Sequence, residues 1–191
     1  MFSEKEKNII LQIAKDAIKE AVLKEHIINR DELIQKYPFL KEKGAVFVTI
    51  NEFNQLRGCI GSIIAHQSLI DDIIKNAKSA ALSDPRFLPL TKDELDNIEV
   101  EVSILTPPKP MPYSSIDDLK QKIKPGVHGV ILNYRGYQAT YLPSVWEQLP
   151  NFDIFFRSLC QKAGLPGNCL SYHPDIFVYE AIKIEDKKDK Q

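Results

Sequence analysis

The strongest constraint on the fold is a pair of strand-like segments that lie almost next to each other in the sequence. The first, GAVFVTI, runs from Gly44 to Ile50 and consists mostly of β-branched and apolar residues. The second, QLRGCIGSII, begins at Gln55, so that only NEFN at residues 51–54 separates the two. A link of this length joins antiparallel strands, because parallel strands need a crossover of a dozen or more residues. The pattern therefore predicts an antiparallel hairpin.

The remaining strand-like segments have the same character. IEVEVSIL, from Ile98 to Leu105, alternates apolar and polar residues, as a strand with one buried face does. PGVHGVILNY and YQATYLP are predicted strands joined by a turn at Arg135 and Gly136, and PDIFVYEAIKI is predicted to be a single closing strand. Adjacent strands with short links favour an α+β fold with a mostly antiparallel or mixed sheet, and argue against a doubly wound parallel sheet.

Four helices are predicted to pack on this sheet. Ser3 and Glu6 have the spacing of a capping box, and apolar residues recur at helical spacing behind them. Further helices are predicted from Ser68, from Ser115, and from about Phe152 to Ala163.

The length of 191 residues suits a single domain spanning residues 1–191, with room for a smaller lobe. The proline-rich stretch TPPKPMPY predicts a lobe boundary near residues 106–114, because prolines make a stiff, extended connector. The charged tail at residues 185–191 is predicted to be a frayed, disordered end.

The charge balance limits the classes of partner. The formal net charge is −1, so the chain has no strong field to recruit nucleic acid or an anionic membrane surface, and nucleic-acid binding is disfavoured. No apolar run approaches the roughly 20 residues needed to span a bilayer. The N-terminus lacks a secretory pattern and the cysteines, Cys59, Cys160 and Cys169, are odd in number, which predicts free thiols in a reducing, cytoplasmic setting.

The sequence predicts neither a metal site nor a cofactor. Cys160, Cys169 and His173 are spaced too loosely for a common zinc pattern, and there is no nucleotide-binding glycine motif. Glu99 and Glu101 lie on one face of a strand and could form a carboxylate pair, although a solvated strand face explains them better.

The stretch LRGCIG, residues 56–61, holds the main candidate chemistry. In a regular strand Arg57 and Cys59 share a face about 7 Å apart, where the arginine would favour the reactive thiolate. Gly58 and Gly61 suggest a bulge or a close approach by another backbone or a ligand. The alternative is a small buried cysteine in a strand whose glycines make room for a packed helix. The sequence leaves both interpretations open.

Other candidate residues lie further along the chain. His128 is followed by Gly129 and is the best candidate for a general base, although a hydrogen-bonded structural histidine is the commoner outcome. Asp84 and Arg86 flank a proline after a predicted helix. They form either a local ion pair or a site in which Arg86 projects into a cleft and holds an anionic ligand.

Several of these motifs together resemble the AMMECR domain family. LRGCIG is followed in order by ALSDPRFLPLTKDEL, VSIL, GVHGV, TYLPSV and FFRSLCQKAGL, and the resemblance covers nearly the whole chain. It implies an α+β fold with a larger lobe, a smaller lobe and a cleft between them. It also implies partners, because prokaryotic members of the family occur beside or fused to Memo-like domains and near radical-SAM proteins. No established activity comes with the family, so the motif positions carry no transferable role.

Two functional hypotheses follow. In the first, the chain is an enzyme or substrate-handling subunit whose groove is lined by Arg57 and Cys59 with Asp84, Arg86 and His128, and takes a small-molecule ligand. In the second, it is a non-catalytic protein-binding module that acts with a Memo-like or radical-SAM partner. The state of the Cys59 thiol discriminates between them.

Overall fold

The computed structural model describes residues 2–186, in which the chain forms two compact units. The first unit consists of residues 2–105 and 182–186, and the second consists of residues 106–181. Each unit has its own hydrophobic core. The proline-rich segment opens the second unit, and the chain returns to the first unit for its last strand.

The described residues contain six α-helices and eight strands. The helices are α1 (Glu4–Leu23), α2 (Arg30–Lys36), α3 (Leu69–Leu82), α4 (Ile116–Lys122), α5 (Val145–Gln148) and α6 (Phe152–Lys162). The strands are β1 (Ala45–Glu52), β2 (Gln55–Gly61), β3 (Ile98–Leu105), β4 (Lys109–Pro110), β5 (Gly129–Tyr134), β6 (Tyr137–Tyr141), β7 (Asp175–Tyr179) and β8 (Ala181–Glu185). Short 3₁₀ turns occupy Pro38–Lys41, Lys92–Asn97 and Cys169–Tyr172.

The first unit is a four-stranded sheet, in the order β2-β1-β3-β8, covered by α1 and α3. β1 pairs antiparallel with both β2 and β3, and Val48 stands opposite Ile60 on one side and Val102 on the other. The predicted hairpin is therefore present. Both helices begin at the predicted serine caps, and the capping box at Ser3 is complete. Their apolar stripes bury against the sheet to form the core.

The second unit has its own antiparallel sheet, in the order β4-β7-β5-β6. Arg135 and Gly136 form the tight turn between β5 and β6, both with positive φ. The core contains the ring of Trp146 stacked on Phe155 with 3.6 Å between ring centroids. Two antiparallel sheets with packed helices confirm the predicted α+β class.

The closing segment differs from the prediction. PDIFVYEAIKI is not one strand, because Glu180 interrupts it and its two halves join different sheets. Apolar residues lie on both sides of Glu180, so one charged residue within the run was not enough to predict the break. Of the predicted tail, Glu185 ends β8 and Asp186 forms an ion pair with Lys15, while residues 187–191 lie outside the described part of the chain.

The prediction of three free thiols was wrong for two of them. Cys160 and Cys169 form a disulfide, with their Cα atoms 5.8 Å apart, and Cys59 is the free cysteine. The cause is the turn after α6, where Gly164 has a φ of 87° and brings the chain back so that Cys169 lies beside the helix end. The cytoplasmic setting loses the support of the free-thiol argument and stays a prediction. No helix within residues 2–186 is long and apolar enough to cross a membrane.

The fit of α3 against β2 depends on the absence of a side chain at Gly58. A Cβ added there would overlap the backbone carbonyl oxygen of Ala80, which cannot move without displacing α3. Gly58→Ala is therefore expected to lower the free energy of unfolding by about 1–3 kcal/mol, as overpacking of a core does. Urea denaturation measures this. Gln55→Ala, at an exposed position of the same strand, is the control and should change the stability by less than about 0.5 kcal/mol. Equal stability of the two variants would contradict the close approach.

Candidate functional site

The LRGCIG motif forms the edge strand of the first sheet, and its regular pairing is interrupted at Arg57. Gly58 stands opposite Ile50 and Leu56 stands opposite Asn51, so Arg57 has no direct partner on β1. This is a β-bulge, which bends a strand and redirects the side chain of the extra residue. The bulge places the arginine within reach of the segment that follows α3.

Arg57 fastens that segment against the strand. Its Nε and Nη2 donate to the two carboxylate oxygens of Glu94 at 2.7 and 3.0 Å. Its Nη1 donates to the carbonyl of Leu88 at 2.9 Å, and Nη2 also reaches the carbonyl of Pro89 at 3.3 Å. The guanidinium lowers the pKa of Glu94 to about 2. These four hydrogen bonds occupy the guanidinium and link β2 to the segment after α3. We call the pair of Arg57 and Glu94 the clamp.

Asp84 binds the same strand at a second point. Its carboxylate is buried and accepts the backbone N–H of Cys59 at 2.9 Å. It also accepts Nε and Nη2 of Arg86 at 3.1 and 2.8 Å, together with the Arg86 backbone N–H. The Arg86 guanidinium, helped by these backbone donors, holds the pKa of Asp84 well below its usual range. The predicted local ion pair is present, and it also binds the motif.

Cys59 carries a half-buried thiol. Its Sγ lies 3.3 Å from the hydroxyl oxygen of Thr49, which stands directly opposite on β1. Burial raises the pKa of the thiol, and the Thr49 hydrogen bond and the charge of Arg86 offset this only in part. The nearby carboxylates of Asp84 and Glu101 also raise the pKa. Cys59 is therefore protonated at neutral pH.

Cys59, Thr49 and Glu101 form a row across the sheet. Thr49 pairs with Cys59 on one side and with Glu101 on the other. Burial raises the pKa of the Glu101 carboxyl, and Lys183 Nζ lies 3.6 Å from one of its oxygens. The row presents a thiol, a hydroxyl and a carboxyl side by side, which are groups that hydrogen-bond a polar ligand.

His128 and Gly129 belong to the second unit. The His128 Nδ1 accepts the backbone N–H of Lys124 at 3.0 Å, and its carbonyl accepts the indole N–H of Trp146 at 2.8 Å. Burial lowers the pKa of the His128 imidazole. Gly129 is needed because a Cβ there would overlap the ring of Tyr179. Both positions have structural reasons of their own, and the role of His128 as a base stays a prediction.

The structure thus brings Gly58, Cys59, Asp84 and Arg86 together, and Gly61 lies under the ring of Phe47. Sequence reasoning missed Thr49 and Glu94. The spacing of Thr91 and Glu94 is that of a capping box, which the structure contains, but it does not reveal that the glutamate also binds Arg57. Within residues 2–186 no group of three or more histidine, cysteine or acidic side chains is arranged to hold a metal ion.

Comparisons with known proteins agree with the sequence motifs. The family model described as AMMECR1 matches residues 11–184. A protein of Methanothermobacter thermautotrophicus is 37% identical over 93% of this chain and 91% of its own length. A protein of Methanocaldococcus jannaschii is 37% identical over 86% of this chain and 80% of its own length. The crystal structure of an uncharacterized protein from Pyrococcus horikoshii superposes with a TM-score of 0.81 at 34% identity, covering 92% of this chain and 88% of the other. These matches confirm the predicted resemblance.

The raised pKa of Cys59 makes a prediction about its reactivity. The rate of alkylation by iodoacetamide should rise with pH at a higher inflection in the folded protein than in the urea-unfolded protein, because burial disfavours the thiolate. Mass spectrometry without reductant measures the reaction at Cys59 alone, since the other two cysteines are bonded to each other. An inflection in the folded protein below that of the unfolded chain would contradict the protonated thiol and support a nucleophile.

The clamp between Arg57 and Glu94 makes a prediction about stability and pH. Glu94→Gln should lower the free energy of unfolding by about 1–3 kcal/mol at neutral pH, as loss of charge-assisted hydrogen bonds does. The pKa of Glu94 in the folded protein lies below its ordinary value of 4.5. Its contribution to the free energy of unfolding is therefore complete above pH 4.5 and is lost as the pH falls toward about 2.

The difference in free energy of unfolding between wild type and Glu94→Gln should therefore become smaller in that acidic range. Chemical denaturation of both proteins at a series of pH values measures it. Asp93→Asn is the neighbouring control and should show no comparable loss, since Asp93 lies beside the clamp in sequence without forming part of it. A difference that does not depend on pH would contradict the ion pair.

Proposed function

The chain belongs to the AMMECR1 family, and on that premise we propose that it is a non-catalytic protein-binding module. The LRGCIG strand is the scaffold of the binding surface. The Arg57 guanidinium and the backbone N–H of Cys59 bind the adjacent loop, and the thiol is protonated at neutral pH. A nucleophilic cysteine needs the opposite arrangement, in which a cation or a base stabilises the thiolate.

The observation that carries this proposal is the exposure of Leu88 on a loop that is held firmly. Arg57 binds the carbonyl groups of Leu88 and Pro89, while the Leu88 side chain is 82% exposed. A single exposed leucine is ordinary on a protein surface. A leucine presented by a fixed backbone loses less conformational freedom on association, and so contributes more to binding.

Two apolar residues of the β1–β2 hairpin, whose second strand carries Arg57, are also exposed. Phe53 is 73% exposed at the turn and Leu56 is 42% exposed on β2. Phe53 has a φ of 51°, a left-handed conformation that is rare for a bulky residue and costs free energy. We call Phe53, Leu56 and Leu88 the hairpin surface. Aromatic and aliphatic anchors of this kind dominate the energy of protein interfaces.

The proposed partner is a Memo-like protein. The support for this choice is the family resemblance, since prokaryotic members occur beside or fused to Memo-like domains. A radical-SAM protein is the next partner to test, because prokaryotic members of the family also occur near such proteins.

The row of Cys59, Thr49 and Glu101 favours a second candidate function. A substrate-handling subunit would use these polar groups to hydrogen-bond a small ligand, with the thiol as donor or acceptor. This candidate requires Cys59, whereas the hairpin surface does not, so variants at the two places separate the functions.

Substitutions in the hairpin surface test the proposed function. Leu88→Ser and Phe53→Asn should each weaken binding to the Memo-like protein of the same organism by roughly tenfold or more, measured by isothermal titration calorimetry. Phe53→Asn should also leave the protein as stable or more stable, because asparagine tolerates positive φ. Loss of affinity without loss of stability is therefore the specific result expected for this variant.

Two controls complete the experiment. Ile154→Ser removes an exposed apolar side chain from the second unit and should leave the affinity unchanged. Cys59→Ala should also bind normally. Full affinity in both hairpin variants would overturn the proposal, and loss of affinity in Cys59→Ala alone would overturn it in favour of the second candidate.

A further inference from the structure

The second unit carries a groove of about 370 Å³ between the proline-rich segment and the start of β7. Its walls are formed mainly by rings, and the lining includes Pro110, Pro112, Tyr113, His173, Asp175 and Phe177. We propose that this groove binds a proline-rich peptide in the polyproline II conformation, with a basic residue next to the prolines. The proposal is independent of the hairpin surface, which lies in the first unit.

Stacked rings give the groove a firm wall. The Tyr113 ring stacks on the His173 imidazole with 4.3 Å between centroids and 27° between planes. The Tyr113 hydroxyl donates to the carbonyl of Pro174 at 2.6 Å, which ties Tyr113 to the backbone directly after His173. Tyr113 is only 8% exposed and supports the imidazole from behind, so His173 and Phe177 are the aromatic rings that a ligand can reach. Aromatic side chains in a groove accept the flat faces of proline rings, and the rigid peptide loses little entropy on binding.

The backbone at His173 is held in an unusual conformation. Its φ is 54° and its ψ is 55°, in the left-handed region, and its N–H donates to the carbonyl of Leu170 at 3.1 Å. Such a conformation persists at a non-glycine residue only where the surroundings impose it. Here it directs an exposed imidazole against Tyr113, where the ring can donate a hydrogen bond to a peptide carbonyl.

The neighbouring sheet edge is unsuited to β-strand addition, which is the other common mode of peptide binding. β4 is an edge strand, and prolines at positions 110 and 112 have no N–H to donate. The N–H of Met111 between them is already bonded to the carbonyl of Ile176. An added β-strand needs alternating donors and acceptors along the edge, whereas a polyproline II peptide makes no ladder.

The charge at the groove favours a basic residue beside the prolines of the peptide. Asp175 is exposed and is the one carboxylate among the lining residues, and the lining contains no lysine or arginine. Lys122 donates to the carbonyl of Pro112 beside the groove but is not one of its lining residues, so Asp175 is the charged side chain that a ligand in the groove meets. A peptide with arginine or lysine beside its prolines places opposite charge against Asp175, which favours binding and fixes its direction.

Fluorescence anisotropy with a labelled oligoproline peptide that ends in arginine tests the proposal. The full chain should bind it saturably, and a glycine-serine peptide with the same terminal arginine should bind at least tenfold more weakly. His173→Gly is the key variant, because glycine adopts the left-handed backbone freely and removes only the ring. It should weaken binding at least fivefold. Tyr137→Ala, an exposed aromatic at the far edge strand β6, is the matched control and should bind like wild type.

Asp175→Asn tests the charge. It should weaken binding of the arginine-ended peptide several-fold and leave unchanged the binding of an oligoproline peptide with a neutral amide end. No saturable binding, equal binding of the glycine-serine peptide, or full affinity in His173→Gly would overturn the proposal. These outcomes leave the test of the hairpin surface untouched, since its variants and its ligand are different.

Discussion

The buried carboxylate of Asp84 holds together the surface of the first unit. It takes the outward N–H of Cys59 on an edge strand and at the same time neutralises and orients Arg86. An unpaired buried carboxylate would cost several kcal/mol, so all of these donors have to be in place at once. The segment between α3 and β3 therefore lies along β2 in one conformation, and Arg57 secures its far end through Glu94. The same contacts shield part of an exposed sheet edge from pairing with another chain.

This arrangement changes the meaning of the motif. Arginine and cysteine two residues apart in a strand look like a cation beside a thiol, and that inference assumes regular alternation. A bulge at Arg57 breaks the alternation, and the arginine binds a glutamate 37 residues further along the chain. The cation that does act on the thiol is Arg86, which is part of the Asp84 pair. The two glycines are explained by close approach, one to the backbone of α3 and the other to the ring of Phe47.

The fold class was predictable because it depends on local signals. Apolar alternation, serine caps and short links each act over a few residues, and the hairpin at residues 51–54 follows from them. Contacts between distant segments were not predictable. The Cys160–Cys169 disulfide depends on the turn at Gly164, and the division of the last segment between two sheets depends on which edge is free when the chain arrives. At the site, Asp84 with Arg86 was predictable as a local pair, whereas Glu94 and Thr49 depend on strand register and loop path.

The return of the chain to the first sheet has a consequence for biosynthesis. The second unit is one continuous segment, but the first unit needs β8, which is made after the whole second unit. Domains fold as their sequences leave the ribosome, so the second unit can complete its core while β3 still lacks its outer neighbour. The first sheet closes only afterwards. A fragment that stops at residue 105 would keep the whole LRGCIG motif and still present an unpaired edge at β3, which is a site for aggregation during synthesis.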